Sequence, residues 1–552
     1  MGGAKGPSFL LLVSLCFSAI VASYMYIRTV EIYNQKTPRP LYNKNPKSVF
    51  HPPAYKRQTI LEIKPVVSPA KVSSNKRNPI DLNHVTTAAN MSASVVNPKT
   101  VYQVGETLLV KIVARDANGR PKSYGEDFLL AKLHTKSPTE ACTSGKITDY
   151  GNGIYLATFL LPLSGNFSVS VILVHPSEAI QILKRIHDTY SDVRNTWCQF
   201  SDQKANISEW TKCGFYPNYK IDPEEVCDFS KPGPNATWYC GRPKGIACET
   251  IMKCINNETA DHALVEELVT LDEAQLFTRY QVNQEVPNDI RITVQNKGSH
   301  LGPPKMEGRP LPTCGPRLPK TTSEGYWYNK TWTSLRCQSS HFSPSPATYK
   351  CLKNKTFYLF GDSTARQYKD YLNELVDKMN AQLPNDVKKT EDIHDSIKVN
   401  FEFHNYPRTH PTNNAMGGKY AVDIIDGLVG GPDVVIIFSI WAHYTAVHIE
   451  TFRSRVYGIR NAIERLHAKY PDTKVIWRTG NMRGHAGLLY YLFYNNWYAY
   501  QLVLEAKRIL GGLDIYVMDV WEMSVCTTYV VHPFPHVIKN HLDLVFSYIC
   551  QE

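Results

Sequence analysis

The sequence lacks the motifs of two common kinds of binding site, those for structural zinc and those for dinucleotides. No two cysteines have the C-x-x-C spacing of structural zinc motifs, and no G-x-G-x-x-G segment marks a dinucleotide-binding turn. The sequence therefore predicts neither a bound metal nor a resident cofactor. Net positive charge is also scarce outside one stretch: residues 28–77 contain 11 Lys or Arg against only Glu31 and Glu62, a balance of +9, whereas the whole 552-residue chain has a net charge of +11. The near-neutral remainder does not favour a nucleic-acid partner.

Residues 9–27, FLLLVSLCFSAIVASYMYI, contain no charged side chain. An apolar run of this length is sufficient to cross a bilayer, and it also fits a signal peptide that ends at Val21-Ala22-Ser23. A retained anchor and a cleaved signal both remain open. Both place the rest of the chain in the secretory pathway, either in the Golgi lumen or membrane or outside the cell, with membrane contact only through residues 9–27.

Two further features fit that compartment. The chain has 13 cysteines; Cys16 lies in the apolar run, which leaves an even number for disulfides in an oxidising lumen. The sequence also contains seven N-x-S/T sites for N-glycosylation, which are Asn90, Asn166, Asn206, Asn235, Asn257, Asn329 and Asn354.

Composition divides the chain into five segments. Residues 1–27 are the signal peptide or anchor, and residues 28–84 form a basic, proline-rich stem, either a solvated linker or a segment that contacts acidic glycans or lipids. Short alternating strands predict a β-sandwich of the immunoglobulin or filamin type over residues 85–185. Residues 186–350 are rich in Cys, Gly and Pro and predict a disulfide-dependent connecting region.

Residues 351–552 alternate short apolar strands with helical stretches. This pattern predicts a three-layer α/β domain with a parallel sheet covered on both faces. In such sheets ligands bind beyond the carboxyl ends of the strands. Candidate functional residues should therefore follow strands directly.

The segment Gly361-Asp362-Ser363 meets this condition, because it lies between an apolar strand and a helix. Glycine permits a tight turn, and a serine at a helix N-terminus is close to free N–H groups that can stabilise an oxyanion. The alternative is that Asp362 or Ser363 only caps the helix. A nucleophilic Ser363 would need a base, and His532, which follows the last strand, is the candidate; Asp519 at the end of that strand is the candidate orienting acid.

Several ordered motifs carry a resemblance. The segments YLFGDSTARQYKDYL, VIWRTGN, DVWEM and VHPFPHVIKNHLDLVFSYIC are similar to the neurexophilin and PC-esterase domain family, and YGEDFLLAKL with the cysteine-rich segment resembles its N-terminal part. The resemblance implies a GDSL/SGNH-like hydrolase fold for residues 351–552 and a GDS-x-x-R motif made by Gly361, Asp362, Ser363 and Arg366.

The family pattern also has a departure in this sequence. Relatives carry Asp-x-x-His, but Tyr529 stands three residues before His532, and no carboxylate occurs between Met523 and His532. Either Asp519 supplies the acid, or the site is a Ser–His dyad. Oxyanion or substrate contacts are predicted from Ser439, His443 and Asn481, each of which has a structural alternative, and Arg366 is predicted to hold an anionic group or to form an ion pair.

The leading functional hypothesis is a luminal O-acetyltransferase or acetylesterase for glycans, sialic acids among them, with acetyl-CoA or a similar compound as donor for the transfer. The alternative is a secreted, neurexophilin-like ligand of a neurexin-type receptor with a weakly active or inactive esterase domain. The sequence leaves the acyl group, the acceptor and the direction of transfer open.

The compartment leads to a first prediction. Treatment of the secreted or luminal protein with an N-glycan-removing enzyme should lower its apparent mass, and thiol titration without reductant should detect almost no free cysteine outside residue 16. An unglycosylated chain with free thiols would contradict the secretory assignment.

Overall fold

The computed structural model describes residues 80–189, 196–214, 225–231, 237–256, 268–296, 310–383, 392–404, 420–484, 487–527 and 529–551. The predicted leader and most of the stem lie outside these residues, as do Asn235 and Asn257. In the part of the chain that is described, no helix has both the length and the apolar character needed to span a membrane.

Strands and helices are numbered in chain order. The strands are β1 Ser92–Val95, β2 Tyr102–Gln103, β3 Thr107–Val113, β4 Phe128–Thr135, β5 Ala141–Asp149, β6 Ile154–Leu160, β7 Gly165–His175, β8 Thr196–Asp202, β9 Ile207–Gly214, β10 Val226–Asp228, β11 Tyr239–Gly241, β12 Ile251–Asn256, β13 Gln284–Glu285, β14 Arg291–Gln295, β15 Gly325–Tyr328, β16 Thr331–Ser334, β17 Thr356–Gly361, β18 Lys398–Phe403, β19 Val434–Ser439, β20 Lys474–Arg478 and β21 Tyr516–Met518. The helices are α1 Ser177–Thr189, α2 Leu271–Gln275, α3 Pro346–Leu352, α4 Ser363–Gln382, α5 Ile393–Ser396, α6 Ala421–Asp426, α7 Ile449–Lys469, α8 Leu488–Phe493, α9 Asn496–Leu510, α10 Trp521–Val525 and α11 Pro535–Ile549.

The first folded part is a mainly antiparallel β-domain. Its sheet has the order β1-β3-β6-β5-β4-β7-β14-β2, and β5 joins the two halves by pairing with β4 at its start and with β6 at its end. Side chains alternate along β3 so that Leu108, Val110 and Ile112 are fully buried, as period-two patterning requires. Strands β13 to β16 join the same sheet from well beyond residue 185. The immunoglobulin-like type of this domain stays a prediction.

A second antiparallel sheet, β10-β11-β9-β8-β12, contains most of the disulfide-rich segment. The disulfide bonds of this sheet are Cys198–Cys254, Cys213–Cys240 and Cys227–Cys248. The disulfide bonds outside it are Cys142–Cys526, Cys314–Cys337 and Cys351–Cys550. All cysteines of the described residues are thus paired, in keeping with the even count.

The third part is a parallel sheet with the strand order β18-β17-β19-β20-β21. Apolar side chains on one face pack with α4 and α11, and those on the other face pack with α7 and α9. Helices on both faces are what near-continuous apolar strands need. The first strand of the sheet, β17, lies between β18 and β19, so the chain direction across the sheet reverses there. Such a reversal opens a crevice beyond the carboxyl ends of the strands.

The β-domain packs directly against the α/β domain. Leu130 and Val174 of the β-domain share an apolar cluster with Trp441 and Trp521. The Cys142–Cys526 bond joins β5 to the end of α10 across a sequence separation of 384 residues. The described parts of the two domains are therefore held together both covalently and by buried apolar surface.

A partly buried carboxyl group lies at the same interface. Glu522 Oε2 accepts hydrogen bonds from Ser323 Oγ at 3.1 Å and from the Glu324 backbone N–H at 2.8 Å. Burial, followed by the charge of Glu324, raises the pKa of Glu522 to about 8. The native state therefore keeps a proton on Glu522 that the unfolded chain releases near pH 4.5.

This proton predicts a pH dependence of stability. Because the folded pKa is raised, the contribution of Glu522 to stability falls as pH rises from about 4.5 to about 8, by up to about 1.4 kcal/mol for each pH unit. Glu522→Gln keeps a neutral acceptor of similar shape, so its melting temperature should fall less than that of the unaltered protein between pH 5 and pH 8. Parallel pH curves for the two proteins in thermal denaturation would contradict the prediction, and Glu374→Gln on the exposed side of α4 is the matched control.

Candidate functional site

The turn after β17 depends on a glycine. Gly361 lies opposite Ser439 in the β17–β19 pairing, and a Cβ added to Gly361 would be 2.1 Å from the Ser439 carbonyl oxygen. Such an approach is too close for any side chain, so only glycine lets the chain leave the strand here. The turn that follows places the next residues at the carboxyl edge of the sheet.

Asp362 is the N-cap of α4 and is fully buried. Its Oδ1 accepts hydrogen bonds from Thr364 N at 2.8 Å and from Thr364 Oγ1 at 2.6 Å, and its Oδ2 accepts one from Ala442 N at 2.9 Å. The capping alternative is therefore correct for Asp362. The same carboxylate also fixes the loop after β19 to the turn after β17.

A hydroxyl network extends from this cap into the sheet. Thr364 Oγ1 must donate to the carboxylate, so Ser439 Oγ donates to Thr364 Oγ1 at 2.9 Å, and Arg478 donates to Ser439 Oγ at 3.4 Å. Arg478 also donates to Asn481 Oδ1 at 2.5 Å. Thr364 and Arg478 were not singled out from the sequence. Thr364 directly follows Ser363, and Arg478 ends β20, so their positions at the rim were the available signal.

The structure brings Ser363 and His532 together. Ser363 is the first residue of α4, and its Oγ is 2.7 Å from His532 Nε2. His532 is exposed and follows β21 and α10, where the sequence places it. Within the described residues the Ser363 backbone N–H has no acceptor, so this donor at the helix N-terminus is available to an anion.

Backbone contacts hold the loop that carries His532. Gln367 Nε2 donates to the Pro533 carbonyl at 2.9 Å, and Asn481 Nδ2 donates to the Val530 carbonyl at 3.0 Å. Gly484 packs so close to the Tyr529 carbonyl that an added Cβ would be 2.2 Å from it. These three contacts fix the loop on both sides of the imidazole. Gln367 is one helical turn beyond Ser363, and its role was missed because the sequence gives no sign of a loop partner.

The predicted orienting role of Asp519 needs correction. Asp519 Oδ1 accepts from Thr479 Oγ1 and from the Trp521 backbone N–H, each at 3.0 Å, and Oδ2 pairs with Lys507 Nζ at 2.6 Å. Lys507 on α9 attracts the carboxylate and, despite burial, lowers the pKa of Asp519. Both oxygens are thus engaged away from the imidazole. Among the described residues, the only hydrogen bond to His532 is the one with Ser363, so no described carboxylate holds the imidazole.

Two predicted oxyanion donors have other partners. Asn481 Nδ2 uses its two hydrogens on the Met482 and Val530 carbonyls, and the Ser439 hydroxyl donates to Thr364. Neither side chain keeps a donor for an oxyanion. His443 lies at the rim, but its Nδ1 is 2.7 Å from His404 Nε2. Asn481 and Ser439 therefore support the architecture of the rim, whereas a role for His443 beside the reacting atoms stays a prediction.

Its surroundings favour the neutral form of His532. Partial burial lowers the pKa of His532; the charge of Asp362 opposes this effect, and the charges of Arg366 and Arg483 add to it. A neutral imidazole can accept a proton from Ser363, which an imidazolium cannot. Arg366 itself is exposed on α4 and forms no ion pair with any described residue. It is therefore available to an anionic group.

Comparison with known families gives two matches. Residues 332–550 match the family model described as NXPE family member 4-like, C-terminal domain, and residues 74–272 match the model described as Neurexophilin. The first range contains Ser363, Arg366 and His532. The second covers most of the β-domain and the disulfide-rich sheet.

The charge of Arg366 predicts a change in the reactivity of Ser363. Removal of this cation in Arg366→Gln should raise the pKa of His532, so the acid limb of the pH profile should move to higher pH. The rate at which a fluorophosphonate labels Ser363 across pH measures this limb directly. Arg366→Lys keeps the charge and should follow the unaltered protein; a downward shift in Arg366→Gln would contradict the assignment of His532 as base.

Proposed function

We propose that the α/β domain, which lies in the range that matches the NXPE family member 4-like model, is an O-acyltransferase or esterase that acts on glycan hydroxyl groups. The observation that carries the proposal is the 2.7 Å contact between Ser363 Oγ and His532 Nε2 at the carboxyl edge of the parallel sheet. A serine paired with a neutral histidine beside a helix N-terminus is an arrangement suited to acyl transfer.

The compartment fits this activity. The six disulfides and the neurexophilin match fit a secretory protein. Within the Golgi lumen or outside the cell, glycans are the abundant carriers of hydroxyl groups. A sugar is therefore the acceptor that we propose.

The mechanism follows from the dyad. Ser363 Oγ attacks the acyl carbonyl carbon while His532 Nε2 takes the hydroxyl proton, and the Ser363 N–H stabilises the oxyanion that forms. Collapse breaks the bond to the leaving group, which receives the proton from His532. A sugar hydroxyl then loses its proton to His532 and attacks the acyl carbon of acyl-Ser363. The bond to Ser363 Oγ breaks, and Oγ recovers its proton from His532, which completes the transfer. Water in place of the sugar gives hydrolysis.

Charge at the site suggests the substrate class. The exposed guanidinium of Arg366, one helical turn from Ser363, suits a carboxylate or a phosphate. We propose sialic acid as acceptor and a thioester such as acetyl-CoA as donor, with acetyl as the transferred group. The absence of a described carboxylate on His532 predicts a slower reaction than that of a triad, since the acid normally fixes the tautomer and stabilises the imidazolium.

The same missing carboxylate favours a second candidate. In it, the chain is a secreted ligand whose neurexophilin-like half binds a receptor of the neurexin type, and the α/β domain has little or no activity. The neurexophilin match over residues 74–272 supports a binding role for that half. The two candidates differ in one measurable respect, which is whether Ser363 chemistry changes cell-surface glycans.

Substitutions at the dyad test the enzyme directly. Ser363→Ala and His532→Ala should each lower the rate of acetyl transfer by about 1,000-fold. Mass spectrometry of glycans from cells that express each variant should therefore detect almost no acetyl groups on sialic acids. Asp519→Asn removes the partner of Lys507 rather than a partner of His532. It should therefore lower the melting temperature and leave the transfer rate of the folded protein nearly unchanged. His394→Ala, an exposed histidine on α5, is the control. Full acetylation with Ser363→Ala would exclude a covalent mechanism and leave the ligand candidate.

A further inference from the structure

An exposed aromatic residue lies beside the dyad. Phe534 is two residues beyond His532, and 48 % of its side chain is exposed. A single exposed apolar side chain is common at protein surfaces and indicates nothing by itself, so the neighbours of Phe534 decide whether it suits a ligand. From the sequence, the segment VHPFPH carried part of the family resemblance and supplied His532, but Phe534 had no predicted role.

The position of Phe534 is fixed by its neighbours. Pro533 and Pro535 flank it, and Pro535 begins α11, so the backbone of Phe534 is restricted to the extended region that it adopts, with φ −63° and ψ 156°. The Pro533 carbonyl is also held by Gln367. The ring is therefore presented on a rigid backbone, which lowers the entropy lost when a ligand binds.

Phe534 is one part of a larger aromatic surface. Its ring is nearly parallel to that of His536, with 11° between the planes and 6.2 Å between the centroids. His536 in turn meets Trp327 edge to face at 6.3 Å. Trp327 is buried and donates its Nε1–H to the Met523 carbonyl at 2.9 Å, so its ring has a fixed position against His536. We name Phe534 and His536 the aromatic platform.

A cation lies on the serine side of the same site. Arg366 is one helical turn beyond Ser363 and is exposed, whereas the aromatic platform extends from His532. Along the chain, exposed aromatic rings therefore follow His532 within four residues, and a guanidinium follows Ser363 within one helical turn. A pyranose that carries a carboxylate offers the complementary pair, since its axial C–H face is apolar and its carboxylate accepts two hydrogen bonds from arginine.

We propose that the aromatic platform is the acceptor subsite and that it stacks against the ring of an anionic sugar whose carboxylate is held by Arg366. This inference rests on the proposed function, and it names the residues that select the acceptor. It places a hydroxyl of that sugar next to Ser363 for the second half of the reaction. Neutral sugars would keep the stacking contact and lose the ionic one.

The test separates binding from chemistry. Binding of the methyl α-glycoside of a sialic acid to the Ser363→Ala protein is measured by saturation-transfer NMR and titration, where no turnover occurs. Phe534→Ala in that background should weaken binding by about 10-fold, and Phe534→Tyr should restore most of it. Tyr150→Ala, an exposed aromatic residue in the β-domain, is the control.

Kinetics with the active protein give the second readout. Phe534→Ala should raise KM for the sugar and leave KM for the thioester donor unchanged. A rise confined to the donor would show that the platform stacks against the donor's base instead, and unaltered sugar binding would overturn the inference. Fluorophosphonate labelling of Ser363 reports separately on the proposed function: labelling with unaltered sugar binding would refute only the subsite, whereas no labelling would refute the enzyme.

Discussion

The buried carboxylate of Asp362 is the interaction on which the site depends. It accepts donors from the first turn of α4 and from the loop after β19, and thereby fixes the two segments that meet at the reversal of strand order. A buried carboxylate is stable only when its lone pairs are satisfied. Because Gly361 lets the chain approach Ser439 so closely, the cap reaches both segments, and Ser363 is left with its hydroxyl outside the network.

In the Ser363–His532 pair, which is the dyad of the proposed mechanism, contacts to the backbone rather than a third side chain fix the position of the imidazole. In a triad the acid holds the imidazole and stabilises its charge. Here Gln367 and Asn481 hold carbonyl groups on either side of His532, which fixes the position of the ring but supplies no charge to it. The charge of Asp362 raises the pKa of His532 and thereby opposes the effects of burial and of two arginines. The arrangement thus orients the base well and stabilises its protonated form weakly.

Sequence patterns predicted those features that depend on local order along the chain. Alternating strands and helices after residue 351 placed Ser363 and His532 at one edge, because parallel strands share their carboxyl end. Asp519 was assigned wrongly, since it also ends a strand, and no pattern indicated that Lys507 on α9 would approach its carboxylate. Cysteine parity predicted disulfides but not the pairing of Cys142 with Cys526. The addition of β15 to β5, likewise, depends on tertiary contacts that have no local signature.

The β-domain is part of the surroundings of the site rather than a separate attachment. The Cys142–Cys526 bond ends six residues before His532, and Leu130 and Val174 pack on Trp441, which donates its indole N–H to Thr364 Oγ1. Trp327, from the hairpin that extends the β-domain sheet, supports the aromatic platform through His536. The β-domain is therefore connected to Thr364, the residue after Ser363, by packing and one hydrogen bond, and to the aromatic platform by one ring contact. The two candidate roles thus concern parts of the chain that pack against each other, and neither role excludes the other.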